Sequence, residues 1–319
     1  SRIFLVIRRA RSKRPLLSHP FMHSKGQELL KRVAQSFRAP DTYISRDSNI
    51  VFLCGGNIHE DTMRSQFRKY ARAELPHFHI FLAEDAQRDL VTYEEAEFYN
   101  IGEFEEIIGA FAKCVILFLE SPGSYAELGY FAKIEEIRRK LLVVNDARLQ
   151  GQDSFLALGP INIIDRHSLF QPTIQLNFQN NPQLSLVKER LKQRIVPKLK
   201  RKKFGERNYQ NLTTSHKFYA VFEIINIFRA LKLETIEYAF RSIFGNVNIK
   251  ELKQILSVLV AAHYIERRGD EMEYFCIHHK ARPFLDFESL ESNAFRLEIM
   301  DFYEKHFPEV AAIAKGLSK

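Results

Sequence analysis

The chain contains few cysteines and no long run of apolar residues. Its three cysteines, Cys54, Cys114 and Cys276, are widely spaced, odd in number and embedded in apolar segments. They predict buried small side chains and argue against disulfides or a thiolate metal site. The longest apolar runs, such as residues 115–119, are far shorter than the roughly 20 residues that cross a bilayer. The eleven histidines show no metal-ligand spacing. We therefore expect no metal and no membrane partner.

The remaining composition is that of a globular protein. Of the 319 residues, 45% are hydrophobic and 27% are charged. This length predicts two domains. The segment SRIFLVIRRARSKRP has an apolar stretch too short for a signal peptide, and its charges follow that stretch. We therefore expect a cytoplasmic protein.

Basic residues outnumber acidic ones, and the formal net charge is +8. They cluster within residues 2–14 and again within residues 198–203. One such cluster is equally consistent with a solvated arm or linker, whereas two favour a polyanion such as nucleic acid. The expected contacts from the second cluster are Lys200, Arg201, Lys202 and Lys203.

Between about Asn49 and Asp165, short β-branched runs alternate with stretches of helical period. Strands that are apolar on both faces and alternate with helices predict an α/β fold, with a Rossmann-like, mostly parallel sheet covered on both sides. Ligands bind beyond the carboxyl ends of such strands. The expected strands are 50–54, 77–82, 114–119, 141–144 and 161–164.

The C-terminal third has a different pattern. Three helical segments, 216–232, 233–245 and 248–265, precede two short strands around a turn at Gly269-Asp270. This order predicts a winged helix-turn-helix domain, followed by a last helix after Ser289. The predicted organisation is a basic N-terminal arm (1–48), a catalytic domain (49–197), a basic linker (198–215) and a winged-helix domain with a C-terminal helix (216–319).

Four basic residues of the predicted winged helix are candidates for nucleic-acid contact. Lys250 and Lys253 lie on the predicted recognition helix, and Arg267 and Arg268 lie at the approach to the wing. This is modest charge for a sequence-specific reader. Because wings also dock proteins, a protein-docking role stays open.

The segment LFLESPGSYAELGYF contains the strongest local motif. Pro122 and Gly123 predict a tight turn, and Ser124 is the expected N-cap of the next helix. Glu127, three residues on, completes the S-x-x-E pattern of a capping box, which is the purely structural alternative. At the ligand edge of a sheet, however, a carboxylate can attack or shield an anomeric carbon during N-glycosidic cleavage. The helix start also favours its ionised form. We predict Glu127 as a catalytic nucleophile.

Other residues at the same edge are candidates for substrate binding. A glycine pair after the first strand cradles a phosphate or merely forms the turn into a helix. An aspartate at a strand end orients a ribose hydroxyl or caps a helix. The predicted substrate-binding residues are Gly55, Gly56, Asn57, Asp85, Ser121, Gly123, Ser124 and Asp146.

The segments IVFLCGG, LFLESPGSYAELGYF, RRKLLVVNDARL and SFLALGPINII resemble the nucleoside 2-deoxyribosyltransferase-like domain, particularly its version in effector toxins of bacterial type II retrons. The transferase turn D-x-G-T-x-x-E, which ends on the nucleophile, matches Ser121, Gly123, Ser124 and Glu127. The retron resemblance extends through the winged-helix region to RLEIMDF, and so covers most of the chain beyond the arm.

The transferase aspartate is replaced here by Ser121, which argues against base exchange. The resemblance implies instead an N-glycosidase toxin of antiviral defence, with NAD or a related nucleotide as substrate and no separate cofactor. It implies as partners a reverse transcriptase and its multicopy single-stranded DNA (msDNA), which hold the toxin inactive, and a higher-order assembly. The alternatives are a nucleotide-sensing winged-helix regulator without catalysis and a salvage deoxyribosyltransferase.

Overall fold

A computed structural model describes most of the chain. Lys200, Arg201, the basic residues 2–14 and Asp270 of the predicted wing turn lie outside the described residues. The described ranges are 19–57, 60–88, 100–149, 154–195, 202–205, 208–269, 273–288, 290 and 292–316.

The bounds of the strands and helices are given in chain order. The strands are β1 Thr42–Ile44, β2 Ile50–Cys54, β3 His79–Phe81, β4 Cys114–Phe118, β5 Leu141–Asp146, β6 Ile174–Leu176, β7 Lys202–Lys203, β8 Ala230–Lys232, β9 Ile265–Arg268, β10 Tyr274–Ile277 and β11 Leu285–Phe287. The helices are α1 Ser24–Arg38, α2 Met63–Glu74, α3 Ala83–Arg88, α4 Ile101–Phe111, α5 Pro122–Lys133, α6 Glu135–Arg138, α7 Asn162–His167, α8 Ser185–Arg194, α9 Thr214–Phe228, α10 Leu233–Phe244, α11 Ile249–Ala261, α12 Ser292–His306 and α13 Pro308–Ala314.

The first half forms an α/β unit around a five-stranded parallel sheet of order β3-β2-β4-β5-β6. Every residue of β2, β4 and β5 is buried. One face packs against α4 and α5, and the other packs against α2 and α8. The prediction of an α/β fold with a parallel sheet covered on both sides is therefore confirmed. The carboxyl ends of β2 and β4 lie at one edge of the sheet, and residues 55–57 and 119–121 follow them there.

The predicted fifth strand, residues 161–164, is wrong. Ile161 ends a π-helical turn, and the next residues belong to α7. Ile161 and Ile164 are buried whereas Ile163 is 41% exposed, which is helical rather than alternating spacing. The fifth strand is β6, paired in parallel with β5. A four-residue apolar run does not distinguish the two structures by its period.

The C-terminal part contains α9, α10 and α11 and an antiparallel sheet of order β8-β10-β9. The first predicted helix of this region ends early, because Arg229 has a positive φ of 70° and the next residues form β8. The Phe111 ring of α4 stacks on the Phe218 ring of α9, with centroids 3.9 Å apart and planes 5° apart. This stack joins the C-terminal part to the α/β unit.

The segment predicted as a basic arm contains folded structure. In α1, buried Leu29, Val33 and Phe37 recur at helical spacing, and the helix packs against α10 and α12. The strand β1 lies between β11 and β7, so that Lys202 and Lys203 of the predicted linker also belong to a small antiparallel sheet.

The prediction for the cysteines is confirmed. Cys54, Cys114 and Cys276 are buried free thiols, as predicted. Within the ranges that the structure describes, no helix combines the length and the apolar character that crossing a bilayer requires.

Candidate active site

The turn between β4 and α5 differs from its prediction in the position of the cap. Ser121, not Ser124, is the N-cap: its Oγ accepts a hydrogen bond from Ser124 N at 3.2 Å, and Ser124 Oγ accepts one from Ser121 N at 3.0 Å. Pro122 takes the first helical position, where its fixed φ is favourable. Glu127 therefore lies in the second turn of α5. The capping box is formed by Ser121 and Ser124, so Glu127 does not have the capping role that was the structural alternative to catalysis.

The Glu127 carboxyl is held in a poorly solvated place. Its Oε2 is buried and has no hydrogen-bond partner. Burial, followed by the negative charge of Glu105, raises the pKa of Glu127 to about 8 against the opposing positive charge of Arg64. The helix start was expected to favour the ionised form of this carboxyl. Glu127 instead lies beyond the first turn, where the helix dipole fades, and its burial acts in the opposite direction.

Glu105 of α4 is the second carboxyl of the site. Burial raises its pKa to about 7, again opposed by Arg64. Cys54, at the end of β2, is fully buried, and its thiol pKa is raised first by burial and then by the charges of Glu127 and Glu105. Glu105 was not predicted from the sequence. It lies one helical turn before Ile108 and Gly109, which are buried, and this acidic residue on the apolar side of α4 was the pattern that could have indicated it.

A buried arginine supplies the positive charge of the site. Arg64 of α2 is 6% exposed and binds Glu84 through two hydrogen bonds, Nη1 to Oε1 at 2.9 Å and Nη2 to Oε2 at 2.7 Å. Its Nε also donates to Leu53 O, and its Nη1 donates to Gly56 O, both at 3.2 Å. The bidentate pair fixes the guanidinium against the ends of the strands.

Glu120 fixes the loop after β2. Its carboxylate accepts hydrogen bonds from Gly56 N at 2.8 Å, Met63 N at 2.5 Å and Arg64 N at 3.0 Å. Gly55 has a φ of +148°, and a Cβ there would lie 2.9 Å from Glu120 Oε1. The lack of a side chain at Gly55 thus lets the Glu120 carboxylate approach the backbone. The Gly56 amide, which was predicted to bind a phosphate, donates its hydrogen bond to Glu120. Asn57 lies in the same loop, where its amide Nδ2 donates to Glu60 Oε1 at 3.2 Å.

The two predicted aspartates are each bound to an arginine. Asp85 contacts Arg68 Nη2 at 2.9 Å and accepts a hydrogen bond from Leu82 N at 3.2 Å, which is a cap-like role. Asp146 is buried and binds Arg148, whose hydrogen bonds lower the pKa of the carboxyl. Neither is placed beside Glu127 by these contacts. Gly123 lies at the first turn of α5, and a Cβ there would meet only Ser121 Oγ, at 3.8 Å.

The predicted recognition helix packs against the α/β unit in this structure. Lys250 Nζ lies 3.0 Å from Glu103 Oε2, and α11 packs against α3 and α4. Lys253 is half-buried on the same helix. The buried residues of α11 lie on all sides of the helix and are Leu252, Gln254, Ile255, Leu256, Ser257, Val258, Leu259 and Ala261.

The other predicted nucleic-acid contacts lie on strands. Arg268 pairs with Glu266 and donates to Ile313 O at 3.3 Å. The Arg267 guanidinium lies 5.9 Å from the centre of the Phe275 ring. Lys202 and Lys203 are exposed on β7. The described basic residues of this prediction thus lie on three separate elements, β7, β9 and α11.

Comparison with known proteins extends this description. The chain is 35% identical over 121 residues to the "Retron Ec73 putative ribosyltransferase/DNA-binding protein" of Escherichia coli, which is 37% of this chain and 38% of that protein. It is 34% identical over 123 residues to the "Retron Ec86 putative ribosyltransferase/DNA-binding protein" of the same organism, which is 37% of this chain and 39% of that protein. The chain thus spans under two fifths of the length of these curated relatives.

A family model gives broader coverage. The model described as STM3845 retron effector protein matches residues 60–267. This range is more than half of the chain, and it includes Glu105, Glu127 and α11. The chain belongs to the family of STM3845 retron effector proteins.

Proposed function

We propose that this retron effector is an N-glycosidase that cleaves NAD or a related nucleotide, with Glu127 as its nucleophile. One observation carries the proposal: a glutamate with a buried, unpartnered carboxyl oxygen lies near the ligand edge of a parallel sheet, beside a second buried carboxyl. Cleavage of an N-glycosidic bond passes through a cationic sugar, which carboxylates stabilise. Structural glutamates are normally satisfied by hydrogen bonds, so the orphan oxygen favours a role with a ligand.

The proposed reaction has two steps. A Glu127 oxygen bonds to the anomeric carbon while the bond from that carbon to the base nitrogen breaks and its electron pair goes to the base. Water then attacks the ribosyl ester, restores the Glu127 carboxylate and gives its proton to the Glu105 carboxylate. After NAD cleavage Glu105 first releases its own proton to solvent, whereas after cleavage of a neutral base it has already given that proton to the base. The nicotinamide of NAD is cationic before cleavage, so it leaves as a neutral molecule and needs no proton. A neutral base would need one, which the Glu105 carboxylic acid supplies.

The raised pKa values favour a cationic substrate. Two neighbouring carboxyls in a desolvated place resist holding two negative charges at once. A nicotinamide ring supplies a positive charge, which would lower the pKa of Glu127 and produce the ionised nucleophile when substrate is bound. This argument supports NAD over a nucleotide with a neutral base.

The remaining parts of the proposal concern domains and partners. The helices α9, α10 and α11, followed by β9 and β10, have the element order of a winged helix, and the parallel sheet with its helices supports a Rossmann-like catalytic domain. The names of the two E. coli relatives combine ribosyltransferase with DNA binding. We extend both roles to this chain, with retron reverse transcriptase and msDNA as the partners that hold it inactive within a larger assembly.

The alternative is a regulator that senses a nucleotide and binds duplex DNA without catalysis. Such a protein would present its recognition helix, whereas α11 is packed against α3 and α4 here. A salvage transferase is disfavoured as well, because the Ser121 hydroxyl at the matching position caps α5. The arrangement of α11 and Ser121 therefore favours the glycosidase.

The test compares wild type, Glu127→Gln and a control, Glu135→Gln, with NAD and a nucleoside panel, and reads the products by chromatography. The control removes a carboxylate that is 74% exposed on α6. We expect Glu127→Gln to lose roughly 10³-fold or more of nicotinamide or base release, with unchanged circular dichroism, and the control to retain activity. Full activity of Glu127→Gln would remove the nucleophile assignment. DNA binding by a wild type that turns over no nucleotide would favour the regulator.

A further inference from the structure

A cleft of about 600 Å³ lies between the α/β unit and the end of α11. It runs along β3, the edge strand of the parallel sheet, and its lining includes residues of α2 and the turn after α11. The charged and ring-bearing residues of the lining are Arg68, Arg72, Phe78, His79, Asp85 and His263. We propose that this cleft binds a single strand of nucleic acid.

The charge of the cleft suits a phosphate backbone. Arg68 and Arg72 are one helical turn apart on α2. Among the described residues that line the cleft, Asp85 is the one acid, and its carboxylate is bound by Arg68 at 2.9 Å. Arg72 is exposed at the rim. Its guanidinium can donate two parallel hydrogen bonds to a phosphate.

Aromatic rings continue from the cleft onto the C-terminal part. The rings of His79 and His263 have centroids 6.0 Å apart, His263 and His278 are also 6.0 Å apart, and His279 follows at 4.3 Å from His278. Burial, followed by the charge of His263, lowers the pKa of His79, which favours a neutral ring at pH 7. Sites for single strands combine a positive groove with rings on which bases stack.

The recessed shape decides which nucleic acid fits. A duplex presents its phosphates on a rigid convex surface and keeps its bases stacked inside, so it reaches the rim but not the rings. A single strand can bend into the cleft and place bases on Phe78 and the histidines. An acidic peptide would use Arg72 but would gain nothing from the row of rings. The inference rests on the part of the proposed function that gives this protein a nucleic-acid partner.

The test is fluorescence anisotropy of the full chain with a labelled single-stranded DNA of about 20 nucleotides, which exceeds typical single-strand sites. Arg72→Glu is compared with Lys133→Glu, which reverses the charge of an exposed residue of α5, on the opposite face of the sheet and outside the lining of the cleft. We expect Arg72→Glu to weaken binding about tenfold or more and to reduce the salt slope by about 0.7 per lost phosphate contact. Lys133→Glu should stay within about twofold of wild type, because solvent ions screen a charge on the far side of the sheet.

A second variant tests the rings. His263 has a positive φ of 56°, which asparagine tolerates, so His263→Asn removes a ring with little backbone strain. It should weaken binding while leaving the salt slope unchanged, because a stacking contact releases no counterion.

The remaining outcomes would overturn the inference. Equal losses for the two charge reversals would indicate diffuse attraction. Poly-glutamate serves as the probe for an acidic peptide. If Arg72→Glu loses poly-glutamate binding but keeps DNA binding, the cleft would be assigned to an acidic peptide. Absence of single-strand binding by wild type would reject both the cleft and the nucleic-acid partner, whereas binding that Arg72→Glu does not affect would reject the cleft alone. Nicotinamide release is measured separately, so its failure would not be confused with any of these.

Discussion

Lys250 Nζ of α11 lies 3.0 Å from Glu103 Oε2 of α4. The same helix α4 carries Glu105 of the candidate site and Phe111, whose ring stacks on Phe218 of α9. One helix is therefore shared between the C-terminal part and the carboxyls expected to act on the substrate. A partner that moved α9 or α11 would have to move α4 or break these contacts. The positions of α9 and α11 are thus coupled to that of the candidate site through α4.

The first prediction concerns DNA contact by Lys250. We expect Lys250→Ala to bind single-stranded and duplex DNA within about twofold of wild type, because the ammonium is bound to Glu103 and α11 is buried. The measurement is anisotropy across a salt series. A fall in the salt slope of about 0.7 to 0.9 would show a lost phosphate contact and would restore α11 as a DNA-binding helix.

The second prediction concerns the loop that Glu120 fixes. Gly55→Ala should lower the free energy of unfolding by about 1–3 kcal/mol, because Gly55 has a φ of +148° and the new Cβ would lie 2.9 Å from Glu120 Oε1. Urea unfolding followed by far-ultraviolet circular dichroism measures this change.

A matched control for this substitution lies on α5. Gly129 is an exposed helical glycine, and a Cβ there would meet nothing within 4 Å. Gly129→Ala should therefore stabilise the protein by up to about 1 kcal/mol, since alanine is the better helix former. Equal effects of the two substitutions would show that the conformation at Gly55 and its contact with Glu120 do not matter.

The sequence predicted the centre of the sheet well because its strands are buried on both faces. The runs 50–54, 114–119 and 141–144 are apolar throughout and flanked by turn residues, and each corresponds to a strand. The strand predicted at 161–164 was wrong, because four apolar residues are too few to distinguish a strand from a helix. The helix α1 was not predicted, although its buried residues recur at helical spacing, because the segment was interpreted from the basic residues that precede it.

The candidate site was partly predictable. Glu127 was found because a local motif, a tight turn after a central strand, marks the ligand edge. Glu105 was missed because its relation to Glu127 depends on how α4 lies beside α5, which no local pattern records. The predicted N-cap was Ser124, whereas the observed N-cap is Ser121. Both are serines, and Pro122 favours the earlier helix start because proline is well suited to the first helical position.

The third prediction follows from the pKa values of the two carboxyls. If ionised Glu127 is the nucleophile, kcat/KM for NAD should rise as the pH increases through about 8, the raised pKa of Glu127 in the free protein. Glu105→Gln removes the neighbouring charge, which is the second cause of that shift. The rise should then move to lower pH while staying above the ordinary glutamate range, since burial remains the larger cause. A profile that only loses amplitude would show that Glu105 has no electrostatic effect on Glu127.

The raised pKa of Glu127 also predicts how the free energy of unfolding of the substrate-free protein depends on pH. A carboxyl whose pKa is raised on folding favours the folded state when protonated, so its contribution is complete below the ordinary value of 4.5 and is lost as the pH rises through about 8. The free energy of unfolding of wild type should therefore fall between about pH 5 and 9, and Glu127→Gln, which cannot ionise, should show a shallower fall. Parallel curves for the two proteins would mean that Glu127 is ionised at neutral pH. In that case the argument for a cationic substrate would lose its basis, although the nucleophile assignment would stand.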